Sequence, residues 1–74
     1  MNVNEIIDII SNYSDDGLKI LAKQALTLSE IGATAEYPLR ELIDNYPMGD
    51  MDGVSAVPQL IMQECTKRWI KSEE

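Results

Sequence analysis

The sequence contains no histidine and no phenylalanine, a single cysteine, Cys65, and only 6 Lys+Arg against 13 Asp+Glu. Each shortage excludes something. Without histidine there is no Ser-His-Asp or Cys-His pair and no imidazole metal ligand. One cysteine builds neither a disulfide framework nor a paired thiolate zinc site. A formal net charge of -7 and a pI near 4.3 lack the clustered cations that phosphate backbones and anionic lipid surfaces require. No apolar run approaches the ~18 residues that cross a bilayer, and no glycine-rich phosphate loop is present. The opening residues Met1-Asn2-Val3-Asn4-Glu5 carry no basic region, and Asp8 and Ser11 interrupt the apolar residues after them, unlike a signal peptide. The expectations are a cytoplasmic protein, no enzyme, no cofactor, no metal, no direct nucleic acid and no membrane.

What is present suits a small folded domain. The 74 residues allow one helical domain, 1–74, and hydrophobic residues make up 45% of them, enough for a core. Ser14-Asp15-Asp16-Gly17, Gly32-Ala33-Thr34, Pro38, Pro47-Met48-Gly49 and Asp52-Gly53 punctuate the chain into four segments of helical period. In the first, Asn2 and Glu5 stand at capping-box spacing, and Val3, Ile6, Ile7, Ile10 and Tyr13 share a face that Ile9 widens. In the second, Ser14 caps and Asp15 and Asp16 suit the positive end of the helix dipole. Leu18, Leu21, Ala22, Ala25 and Leu28 form its stripe, while Ile20 lies off it. An apolar surface this wide predicts the central helix, ended by Gly32. The third runs from about Ala35 to Tyr46, with Pro38 in its first turn, Leu39, Leu42, Ile43 and Tyr46 inward, and Pro47 as its stop. Glu36, Arg40 and Asp44 form a ladder at spacings of four. The fourth starts near Ser55 or Val57 with Pro58 in its first turn, and Ile61, Met62, Cys65 and Trp69 face the core. The expected fold is all-α, a small compact bundle of four short helices.

Few constellations carry chemistry. Asp50, Asp52 and Gly53 resemble part of a calcium loop. Aligned on Gly53, however, its first position is Met48 and its twelfth Gln59, so two of the strongest ligands are missing. The loop reads as an acidic, solvated turn. Cys65 reads as a small core residue rather than a nucleophile. Trp69 reads as partly buried. Leu60, on the polar side of the fourth segment near Glu64, Lys67 and Lys71, and Leu26, at the edge of the second, are candidates for a dimer seam, although a first-turn leucine more often packs under the preceding loop.

Charge distribution is the most informative feature. From Glu30 to Glu64 there are seven acids and one base, Arg40, so this stretch carries -6 of the -7. On a helical wheel Tyr37, Glu41 and Asp44 share an outward face, and Asp50 and Asp52 come soon after, interleaved with Met48 and Met51. Carboxylates among exposed aromatic and Met side chains are what a contact surface for a basic protein needs. Charge speeds and orients the encounter, and apolar area holds it. The candidate partner-binding residues are therefore Tyr37, Glu41, Asp44, Met48, Asp50, Met51 and Asp52.

Leu42-Ile43-Asp44-Asn45-Tyr46-Pro47, with the acidic loop and a last helix bearing Trp69, resembles the region of the short third helix, with its tyrosines and proline, in the immunity proteins of nuclease colicins. The resemblance covers about a third of the chain, and the paired tyrosines of that family are reduced to Tyr46, with Asn45 in the other place. It implies a small, acidic, four-helix inhibitor. In composition alone the chain is also similar to phage-encoded antagonists such as anti-CRISPR proteins. The functional expectation is an inhibitor or modulator that occupies a basic surface of a partner, for instance that of a nucleic-acid-binding enzyme. The alternative is a homodimeric helical adaptor with Leu60, Leu26 or Trp69 at the seam.

Overall fold

The chain begins with α1 at Val3–Ser11 and α2 at Asp15–Ile31, followed by α3 at Leu39–Asn45 and α4 at Gly53–Glu73. The computed structural model describes residues 2–31, 35–47 and 53–73; among them there are four helices and no strand, as the periodicity predicts. The first two helix starts arise from their caps. Asn2 Oδ1 accepts from the Glu5 N–H at 2.8 Å, and Ser14 Oγ accepts from the Gly17 N–H at 3.1 Å, each satisfying an orphan donor of a first turn. Gly32, expected to end α2, lies outside the described residues.

The core is Ile6 and Ile10 of α1, Leu18, Leu21 and Ala25 of α2, Leu39 and Leu42 of α3, and Val57 and Ile61 of α4. Each large aliphatic side chain buried there contributes roughly 1.5–3 kcal/mol. Ile20 is exposed, as its place off the stripe predicts. The face of α1 is wider than its seat: Ile6 and Ile10 are buried, whereas Val3, Ile7 and Ile9 remain more than a third exposed.

Three expectations need correction. The central helix is α4, which packs against α1, α2 and α3. Its buried strip, Ala56, Val57 and Ile61, is narrow because neighbours on several sides each take only a part of it. Trp69 is 65% exposed, because the helix runs on past the core that Ile61 and Cys65 meet. Leu60 lies beside Glu64 and Lys67 as its spacing predicts, but it packs against the core rather than standing free for a seam.

The helix boundaries also move. α3 begins at Leu39 rather than Ala35, since a residue before proline is biased away from helical geometry and Tyr37 precedes Pro38. It ends at Asn45 because Tyr46, before Pro47, is extended at ψ 132°. α4 begins at Gly53, two residues before the earlier of the expected starts, which puts Pro58 inside it. Only the hydrogen bond to the Val54 carbonyl is forgone, one turn from the helix start.

Arg68 fastens α4 to the corner between α1 and α2. Its Nε donates to Glu64 Oε2 at 2.8 Å and its Nη1 to Asp15 Oδ1 at 2.8 Å. Its Nη2 donates to the Ser11 carbonyl at 3.1 Å and the Tyr13 carbonyl at 2.7 Å. The hydrogen bond to Glu64 above all, then Asp15, raises the guanidinium pKa further, against the effect of desolvation. A spacing of three or four lets Glu64 pair with either Lys67 or Arg68, and both lie within reach of it; nothing local anticipates the other three contacts of Arg68.

Candidate functional site

The turn before α3 is held by a side chain from α2. Gln24 Nε2 donates to the Tyr37 carbonyl at 2.9 Å, and Gln24 Oε1 accepts from the Leu39 N–H at 3.2 Å. Pro38, at the N-cap, has no side chain that could cap Leu39, so Gln24 does so from a distance. One amide thus clamps both sides of Pro38, and the Tyr37–Pro38 peptide bond is cis. From this fixed backbone the Tyr37 side chain projects into solvent, 76% exposed.

Tyr37 precedes α3 and so does not belong to that helix's wheel, which corrects the spacing argument that grouped it with Glu41 and Asp44. Glu36, Glu41 and Asp44 are all exposed. Asp44 is already engaged: Arg40 Nε lies 3.3 Å from its Oδ2, a solvent-exposed pair worth about 0.2–0.5 kcal/mol. Of the candidate acids on α3, Glu41 keeps its charge uncommitted among the described residues.

Tyr13, partly buried at the corner between α1 and α2, joins this neighbourhood. Its phenol titrates above the ordinary range, mainly through burial, with the negative charges of Tyr37 and Glu41 adding to the effect. Its place on an apolar face gave it a core role in the sequence; its nearness to Tyr37 comes from the tertiary arrangement. Met48, Asp50, Met51 and Asp52 lie outside the described residues. Negative side chains are not confined to α3: Glu5, Asp8, Asp15 and Asp16 are exposed on α1 and at the start of α2, whereas Glu64 turns inward to Arg68.

Among the described residues no three of Cys, Asp and Glu gather to hold a metal ion, and no helix is long and apolar enough to cross a membrane. No family model, curated protein or solved structure matches the chain.

Proposed function

We propose that the chain is a small acidic binding protein that inhibits or modulates a partner by occupying a basic surface, such as the nucleic-acid site of an enzyme. The observation that carries this reading is Tyr37: an aromatic side chain mostly in solvent on a backbone pinned by Gln24, with exposed Glu36 beside it and exposed Glu41 four residues on. With the backbone beneath it fixed, only the two side-chain torsions of Tyr37 are left to order on binding, and its ring supplies the apolar centre of a contact. Carboxylates around it attract and orient a cationic face.

Affinity capture from the native host lysate, at low and high salt, tests the reading. The wild-type chain should retain a basic protein at low salt and release it at high salt, because exposed charges are screened. Tyr37→Ala and Glu41→Lys should each lose it. Retention by both variants ends this assignment of the site. Charge reversal at Glu41 and Asp44 is expected to slow association, the Glu41 half more strongly because Asp44 is already paired with Arg40. In the same reading Met51→Ala speeds dissociation.

A homodimeric adaptor is the second reading, drawn from the exposure of Leu26 and Trp69. Leu60 supports it less, since it packs against the core. Sedimentation across the micromolar range decides it, a strict monomer removing the reading.

A further inference from the structure

Resting on that reading of a basic partner, we propose that the group the Tyr37 face recognises is an arginine side chain, its guanidinium stacked on the Tyr37 ring and its N–H groups donated to Glu41. The backbone sets the two residues for this. The Arg40 N–H donates to the Glu36 carbonyl at 2.8 Å, so the chain is already wound there and Glu41 follows Tyr37 by about one turn. Gln24 holds the peptide groups on both sides of Pro38, which fixes the base of the ring. Tyr37 is exposed, and Glu41 is exposed with no ion pair among the described residues.

A second ring and an apolar floor extend the face. Tyr13 enters from the corner between α1 and α2, its carbonyl held by Arg68 Nη2 at 2.7 Å. Its ring lies against Gly17, where a Cβ would come 3.0 Å from Tyr13 Cδ1. Burial raises the Tyr13 phenol pKa and the charges of Tyr37 and Glu41 raise it further, which agrees with all three side chains turning toward one corner. Gly17, Ile20 and Gln24 follow one another on α2 at spacings of three and four, from the Tyr13 ring to the clamp under Tyr37. Ile20 is half exposed and takes no part in the core. Three exposed carboxylates belong to this side, Asp16, Glu36 and Glu41. Against them stands Lys23, three residues beyond Ile20. Lys19 lies about 100° round α2 from Ile20, and Arg40 is matched by Asp44. The face is negative by the difference.

Chemistry selects arginine over lysine. A guanidinium is planar and weakly hydrated, so it lies flat on an aromatic ring, whereas an ammonium is a compact, strongly hydrated charge. The guanidinium fork also presents parallel N–H groups to a carboxylate such as Glu41. The three methylenes of the arginine stem suit the apolar surface of Ile20. Phosphate groups and anionic lipid are repelled by the same carboxylates. A second copy offers no free guanidinium, since Arg68 is spent within the fold and Arg40 is paired with Asp44.

The test uses the intact protein, labelled on its tyrosine rings for NMR, and two capped peptides of equal charge. One carries two arginines spaced by glycine; the other carries lysines in their place. The Tyr37 ring resonances, assigned with Tyr37→Phe, should move in both titrations. The arginine peptide should bind roughly two- to fivefold tighter, the worth of an exposed cation–π contact, and both affinities should fall as salt rises. Tyr37→Phe keeps the ring and should keep the preference. Tyr37→Leu keeps apolar bulk without the aromatic face and should abolish it. Tyr37 is exposed, so neither change threatens the fold, and circular dichroism checks this. Glu41→Gln should weaken the arginine peptide by about twofold or more, and Lys23→Ala should tighten both peptides alike. Equal affinity for the two peptides, a lysine preference, or an arginine preference that survives Tyr37→Leu overturns the choice of arginine and leaves the basic-surface reading standing. Binding of neither peptide overturns it too, while capture from lysate with Tyr37→Ala decides that reading separately.

Discussion

Gly53 shows how a single residue can be fixed by a contact far along the chain. A Cβ built there would lie 2.6 Å from the Ile43 carbonyl oxygen and 3.0 Å from the Tyr46 Cβ. Gly53→Ala should therefore force α3 and α4 apart and cost about 1–3 kcal/mol, read by urea denaturation. In the sequence, Asp52-Gly53 reads as a turn or a fragment of a calcium loop, because local pattern carries no information about Ile43. Gln24 is similar. Nothing in the local pattern singles it out, yet it clamps the turn that presents Tyr37. Gln24→Ala should cost roughly 0.5–1.5 kcal/mol of stability by denaturation, the net worth of a typical hydrogen bond. Tyr13 adds a pH dependence. Its folded pKa is raised above the unfolded value near 10. Its contribution is complete below that value and is lost as pH rises through the folded pKa. Tyr13→Phe, which keeps the ring and removes the titration, should show a shallower loss of stability above about pH 10.

At the scale of elements, the existence and type of the helices are legible and their ranking is not. Asn2 with Glu5, and Ser14 with Gly17, are short-range signals, and both caps form as their spacing predicts. The centrality of α4 is hidden because a helix touching three neighbours needs only a narrow apolar strip toward each, whereas α2 advertises a broad one. Ile61→Ala should cost about 2–5 kcal/mol, as expected for a fully buried side chain. Trp69→Ala, on the same helix but in solvent, should change stability by no more than about 0.5 kcal/mol. The same denaturation series compares them. Arg68 joins elements that are more than fifty residues apart. Arg68→Lys should lower the melting temperature nearly as much as Arg68→Ala, because an ammonium cannot reproduce the guanidinium fork that holds Glu64, Asp15 and two carbonyls together.

At the scale of the whole molecule, the arithmetic of charge is legible while its arrangement is only partly so. The stretch from Glu30 to Glu64 is strongly negative by count, yet Glu64 is drawn inward by Arg68 and Asp44 is matched by Arg40. The exposed carboxylates of α1 and the start of α2 spread the negative field beyond α3. The central claim is that the pinned Tyr37 and its carboxylates form the contact with a basic partner. The most direct measurement is the association and dissociation rates of the captured partner with the wild type, Tyr37→Ala and Glu36→Lys/Glu41→Lys chains over a range of salt. The account predicts faster dissociation for Tyr37→Ala, and slower association with a weaker salt dependence for the charge-reversed chain. Rates indistinguishable from wild type in both variants would contradict it.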